Sequence, residues 1–497
     1  MNRYADPVAV RELVHPDRIH RDVYLDPAVF ELELQHLWRN AWVYVGHDSQ
    51  VPRPGDFYSA QIGREPVIMV RGNDSKVRVL PNRCSHKGTK LVSARQGKCQ
   101  GGLLRCPYHG WIYRLDGTLR SVPLKGGYDE AAQAAALHGL GELNSYNYRG
   151  FVFVRLAADG IGFQEFFGDS LSSIDNMVDR SPEGRLEIAG APLRYMHDCN
   201  WKMYVENLND AMHPMVAHES SAGTAKRLWD SSAAAAAVGA PKPMVIEQFT
   251  PFVNDYEFFE KMGVKVYPNG HSYTGVNFSI HSKYSTVGEY EQRMFAAYGE
   301  ERAKAILAEA RHNTVYYPSL TIKGAIQTIR VARPLAVDKT VIESWTFRLV
   351  GAPDEMLART ATYSRLINAP TSMVGHDDLH CYRAIQEGLS SASSDWVSLH
   401  RNYSASEADS IAGTYGATNE APMRGQYRAW VDLMTRSVDA ATAQRMATTQ
   451  DAAPAQRVST TQGVSTAQGV SAAQGVAPAA QGVSTAQGVA PPAGVAP

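Results

Sequence analysis

The sequence predicts an α+β protein: a small antiparallel β domain joined to a larger domain of helices packed on an antiparallel sheet. Three observations carry this. The chain has 497 residues, too many for one hydrophobic core. From Ala41 to about Leu156, short β-rich runs (W-V-Y-V, P-V-I-M-V, V-R-V-L, G-F-V-F-V-R-L) are separated by Gly, Pro and Asn-Asp turn residues. From Ile161 onward, helical stretches at roughly 163–178, 200–212, 286–311, 353–367, 378–389 and 425–438 alternate with strands.

Taken in order, residues 1–40 read as an N-terminal arm that packs with the larger domain, with a helix opening at Asp26 and Pro27. Residues 41–160 are the β domain and 161–445 the larger domain. Its clearest strand pair is I-Q-T-I-R-V-A-R-P and V-I-E-S-W-T-F-R-L-V, joined by turn residues around Asp338. The small-residue stretch at 231–243 reads as a mobile loop, either a lid or a plain surface insertion. Residues 446–497 are a low-complexity tail. Q-G-V recurs there at 462, 468, 474, 481 and 487 among Ser, Thr, Ala and Pro, which cannot bury enough surface to order a fold. The tail is expected to be disordered and has no expected catalytic role.

Apolar residues make up 44%, charged residues 20%, and the formal net charge is −1. That is an ordinary globular balance, without the basic excess that nucleic acid or an anionic membrane surface demands. No apolar run approaches the ~18 residues needed to span a bilayer, and the first residues carry no export signal. Five cysteines, few and odd in number, fit a reducing compartment, so a cytoplasmic location is expected.

Two stretches carry chemistry. The first, N-W-K-M-Y-V-E-N-L-N-D-A-M-H-P-M-V-A-H, runs from Asn200 to His218. Asp210 and His213 are three apart and share a face of a helix. His213 and His218 are five apart, roughly 140° around a straight helix, so they could not chelate one ion from it. Pro214 breaks or kinks the helix beside it and can swing His218 back toward His213. The second stretch is C-S-H-K-G at Cys84 followed by C-P-Y-H-G-W at Cys106, with 19 residues between His86 and Cys106. Zinc accepts two Cys and two His, but its fingers usually place a Cys pair before a His pair. One Cys and one His in each loop suits a [2Fe–2S] cluster of the Rieske type, with two thiolates on one iron and two imidazoles on the other. Cys99 fits neither loop and reads as structural.

Together these motifs resemble those of the large (α) subunit of Rieske non-haem iron ring-hydroxylating oxygenases, over roughly residues 20–440. The spacing of 19 is slightly longer than the family's commonest and implies a longer loop. The resemblance implies roles by position. Cys84, His86, Cys106 and His109 would hold the Rieske [2Fe–2S] cluster. His213 and His218 would hold a mononuclear Fe(II), completed by an Asp from G-H-D-D-L-H-C-Y-R at Gly375. Asp378 is chosen, with Asp377 as the helix N-cap; the reverse assignment stays open, and His376 and His380 are expected to pack or face solvent. Asp210 matches the family's bridging aspartate, linking His213 to His109 of a neighbouring copy, which implies a cyclic homotrimer, with or without small β subunits.

The reaction so implied uses O2 to dihydroxylate or monooxygenate a small aromatic substrate. No dinucleotide fingerprint is evident, so an NAD(P)H-dependent reductase, with or without a ferredoxin, would supply electrons. Two segments, Y-Y-P-S-L at Tyr316 and Q-T-I-R-V-A-R-P at Gln327, resemble benzoate- and anthranilate-type enzymes, pointing to an aromatic carboxylic acid. Arg330 alternates with Thr328 on its strand and could hold a carboxylate or serve on an outer sheet face. Asn207, beside the iron ligands, is grouped with Asp210 as catalytic, and Met203, Leu208 and Val216 line the pocket or belong to the core. Two other functions compete: a Rieske electron carrier without oxygenase activity, and a zinc-stabilised binding protein.

Overall fold

A computed structural model describes residues 4, 7–128, 138–237, 243–280, 288–309 and 311–450, with backbone only at 7, 8, 236 and 437–450. The described residues up to Gln444 form one compact unit. The repeat region after Gln450 lies outside the described residues, as do 238–242 of the expected loop. The start of that loop forms a short helix, Ala233–Ala236, capped by Ser232.

Pro27 opens helix α1 (Pro27–Gln35), with Asp26 as N-cap accepting from the Ala28 N–H at 2.7 Å. The β lobe follows. Strands β1 (Asp56–Ile62), β2 (Glu65–Arg71) and β3 (Val77–Pro81) pair antiparallel in sequence order. Strands β4 (Leu103–Arg105) and β5 (Ile112–Arg114) form a hairpin, and the lobe ends on the strand Phe151–Arg155. Alternating inward residues such as Ile68, Val70, Leu80 and Tyr113 pack with Cys84 and Cys106 in the lobe's own core.

The larger part is built on a nine-stranded sheet whose described pairings are antiparallel. The strands that concern the site are β6 (Leu193–His197), β7 (Asn313–Tyr316), β8 (Leu320–Lys323), β9 (Thr328–Ala336) and β10 (Lys339–Leu349). The expected 326–350 pair is β9 and β10, in register from Thr328↔Thr346 to Pro334↔Thr340. Helices α2 (Trp201–Asn207), α3 (Pro214–Ala217), α4 (Met373–Gly388) and α5 (Ala421–Gln450) contribute to this part.

Several helices differ from expectation. The 200–212 stretch ends at Asn207. The break therefore lies upstream of Pro214, and Pro214 instead opens α3 at its first position, where a missing N–H costs nothing. The 286–311 stretch divides at Gly299, whose φ of 79° is left-handed. Helix α4 begins at Met373, capped by the Ser372 hydroxyl on the Gly375 N–H at 3.1 Å. Asp377 is thus not the N-cap; it stands in the second turn.

Glu33 of α1 is fully buried and joins the arm to this part of the molecule. It accepts from Trp201 Nε1 at 2.8 Å and Trp430 Nε1 at 2.8 Å, and pairs with the Lys202 ammonium. The N-W-K that opens the iron motif is therefore a structural anchor. Asn200 caps α2 and donates its amide to the Tyr24 carbonyl at 3.1 Å, while Trp201 and Lys202 grip the arm. The β lobe meets the sheet at Glu343 of β10, which gathers Arg95, Arg194 and Arg333.

Candidate active site

The two Cys/His loops close in the same way. The Cys84 N–H donates to the Thr89 carbonyl and Gly88 N–H to the Cys84 carbonyl. One loop on, Cys106 donates to Trp111 and Gly110 to Cys106, with all four bonds between 2.8 and 3.1 Å. Gly88 and Gly110 take φ of 77° and 71°, which a side chain would strain. Each loop thus presents a buried thiol and, two or three residues later, an imidazole. The His86 and His109 rings lie 4.6 Å apart, and His86 stacks flat on Trp111 at 5.0 Å. The thiols of Cys84 and Cys106 are free and buried, and Tyr113 Oη lies 3.1 Å from Cys84 Sγ. His86 Nδ1 is buried with no hydrogen-bond partner among the described residues. Two buried thiols in no disulfide and two adjacent imidazoles fit the two-thiolate, two-imidazole ligation of a Rieske cluster. Cys99 is also buried, and burial pushes its thiol up to about 11, as suits a packing residue.

The second cluster comes from two helices and the turn between them. After α2, Asp210 turns the chain by accepting the Met212 N–H at 2.6 Å, which sets His213 directly ahead of α3 and His218 directly behind it. Their ring centroids are 5.4 Å apart. On α4, Val374, Asp378 and Tyr382 are spaced four apart on the inward face. Asp378 Oδ1 lies 3.6 Å from Nε2 of both His213 and His218. Ligand atoms of these three residues all fall within 4.8 Å of one another. One ion with ligand bonds of ~2.1 Å can bridge the 3.6 Å gaps from Asp378 to each imidazole, and two imidazoles with one carboxylate are the donor set of an open Fe(II) site. His376 and His380 are exposed and stand outside it.

Around this triad, Asp377 Oδ2 lies 3.3 Å from His218 Nδ1, and its carboxylate accepts from the Ser220 and Ser221 hydroxyls at 2.8 and 2.6 Å. Asp210 Oδ2 lies 3.5 Å from His213 Nδ1. Burial would raise the Asp210 carboxyl, but the His213 ring and two backbone N–H groups outweigh it and hold it below its usual value. Asn207 Nδ2 is 3.2 Å from His213 Nε2 and 3.4 Å from Asp378 Oδ1.

The triad borders two cavities. One of about 70 Å³ is walled by Leu208, Phe252, Phe259, Met262, Ile367 and Val374, with Lys323 and Arg330 also lining it. The other, of about 320 Å³, is lined by Met203, Glu206 and Tyr382. Burial pushes Glu206 up to about 7, although Tyr24 and Tyr427 hydroxyls bond to it. Leu208 and Arg330 therefore line the first cavity and Met203 the second. Val216 departs from expectation: it is 72% exposed on α3 and lines neither, because its helix turns that face to solvent. Phe252 and Lys323 were not anticipated, and Asp377, expected as the N-cap, instead sets the His218 ring. Phe252 and Lys323 are distant in sequence from the metal motifs or sit in apolar runs, and no local motif marks them.

The fold and these two clusters define an iron-dependent, oxygen-incorporating oxidoreductase with a Rieske [2Fe–2S] domain and a mononuclear-iron domain. Residues 41–141 match the Rieske [2Fe-2S] domain and residues 187–436 the ring hydroxylating alpha subunit catalytic domain. The chain belongs to the family of ring-hydroxylating oxygenase alpha subunits, the terminal oxygenase components of aromatic ring hydroxylation. It is 30% identical over 378 residues to the toluate 1,2-dioxygenase alpha subunit of Pseudomonas putida, covering 75% of this chain and 79% of that one. To the 2-halobenzoate 1,2-dioxygenase large subunit of Burkholderia cepacia it is 30% identical over 412 residues, 80% of this chain and 84% of that one. In fold it is similar to naphthalene 1,2-dioxygenase from a Rhodococcus species bound to indole, with a TM-score of 0.63 and 21% identity over 84% of this chain and 94% of that one. Among the described residues no helix is long and apolar enough to cross a membrane.

Proposed function

We propose that this oxygenase acts on an aromatic carboxylic acid, binding the ring in the Leu208–Val374 cavity with the carboxylate toward Arg330. The observation that carries this is the setting of Arg330. Its guanidinium lines the cavity, its Nη2 donates to Asn313 Oδ1 at 3.0 Å, and among the described residues no carboxylate lies within 4 Å of it. A guanidinium that no described carboxylate contacts, on a cavity with apolar walls, is suited to an anionic ligand. The curated relatives named for toluate and 2-halobenzoate support the same reading.

In this reading Cys84, His86, Cys106 and His109 hold the cluster and His213, His218 and Asp378 the mononuclear iron. The cluster supplies electrons singly, and the iron supplies the place where O2 is reduced beside the ring. Asn207 holds its amide beside the His213 and Asp378 ligand atoms, Asp377 fixes the His218 ring, and Asp210 fixes the His213 ring. Asp210 is partly exposed, and His109 is exposed on its lobe. The two suit each other across a contact between copies, and head-to-tail contacts of that kind close into a ring of three. An NAD(P)H-dependent reductase, directly or through a ferredoxin, feeds the cluster. A carrier-only or zinc-bound protein would have no use for the triad and its cavity. In oxygen-uptake assays with a compatible reductase, benzoate-type acids should support turnover and toluene-type neutral analogues should not. The reverse preference would overturn the acid reading.

A further inference from the structure

Lys323, the last residue of β8, is 5% exposed and lines the same cavity as Arg330. The register explains why. Thr321 faces Arg330 and Lys323 faces Thr328 across β8 and β9, so Lys323 and Arg330 are diagonal neighbours on one face of the sheet. An ammonium has three donors. One goes to the Tyr363 hydroxyl at 2.7 Å, and among the described residues no carboxylate lies within 4 Å of Nζ. Lys202, equally buried, shows what a structural lysine looks like in this chain: it is matched by Glu33. The buried Arg424 is likewise matched by Glu407. Burying a cation without an acid is costly, and a second cation beside it adds repulsion. Burial, and after it the Arg330 charge, hold the Lys323 ammonium well below its usual range, against the opposing pull of the more distant Asp378 carboxylate. An incoming carboxylate relieves both penalties.

We infer that Lys323 is a second anchor for the substrate, forming with Arg330 a two-cation clamp on one carboxylate at the cavity wall. This rests on the aromatic-acid reading and sharpens it. The site selects aromatic monocarboxylates over neutral rings of the same shape, and Lys323 is a specificity-determining residue beside Arg330. Each carboxylate oxygen can accept from one cation while the ring occupies the apolar space lined by Phe252 and Ile367.

The test is equilibrium binding of benzoate and of benzamide to the iron-replete oxygenase by calorimetry. Wild type should prefer benzoate. Lys323→Met, which keeps the chain length and removes the charge, should weaken benzoate about 10- to 100-fold, as expected for a lost hydrogen bond to a charged group, and leave benzamide nearly unchanged. Lys323→Arg should recover most of the benzoate affinity, and Lys323→Gln replaces the methionine variant should that one not fold. Equal weakening of both ligands would mean that Lys323 only supports Tyr363, which overturns the clamp. So would an unaffected benzoate affinity alongside a loss in Arg330→Met, though that outcome leaves the acid reading standing. Wild type holding benzoate no better than benzamide would overturn the acid reading itself.

Discussion

Asp377 and Asp378 are neighbours in the chain and meet different partners, because successive helical residues point ~100° apart. Asp378 faces the two Nε2 atoms, while Asp377 faces the far side of His218 and two serine hydroxyls. On the proposed assignment, Asp378→Ala should lose mononuclear iron and keep the cluster's absorption. Asp377→Asn should weaken that iron about 10- to 100-fold, the usual effect of removing a group that orients a histidine ligand, and competitive chelation measures both. Iron retained by Asp378→Ala but absent from Asp377→Asn would reverse the assignment. Asp210→Ala should keep both metal centres yet lose turnover; unimpaired turnover would remove its bridging role. The two Cys/His loops and the His213–His218 pair were legible because their spacing is local. The phase of α4 was not, since it depends on Ser372 capping the helix five residues before Asp377. Lys323 and Phe252 reach the cavity only through sheet register and packing, which single-residue chemistry does not reveal.

At the scale of elements, α2 does more than carry the approach to His213. Its first turn is clamped to α1 through Glu33, whose carboxylate satisfies Trp201, Lys202 and Trp430 together. Burial pulls the Lys202 ammonium below its usual value and Glu33 opposes that, as expected for a buried pair. Glu33→Ala strands a buried cation and two indole N–H groups. It should cost about 3–5 kcal/mol in urea unfolding at neutral pH, and a loss under about 1 kcal/mol would mean the arm is held by other contacts. The α+β class and the β9–β10 pair were readable because alternation and turn residues are strong there. Helix ends were not: Gly299 and the Asp210 turn divide stretches whose apolar pattern runs on past them. The arm's packing was expected, whereas its central charged contact comes from one buried carboxylate inside an otherwise ordinary helical run.

At the scale of the whole molecule, the chain places thiol–imidazole chemistry in one lobe and imidazole–carboxylate chemistry in the other. Glu343 ties the two lobes together by holding Arg95 from the β lobe and Arg194 and Arg333 from neighbouring strands of the sheet. The function class followed from having both donor sets in one chain; either alone leaves a carrier or a zinc protein open. The substrate class rests instead on two cations brought together by strand pairing. The central claim, two separate iron centres in each chain, is tested most directly by counting iron and acid-labile sulfide in protein purified and reconstituted anaerobically with ferrous iron. Red-brown protein with about three irons and two labile sulfides per chain is the predicted result, one two-iron cluster plus one mononuclear site. Colourless protein containing zinc, or two irons and two sulfides that no added ferrous iron raises to three, would contradict it.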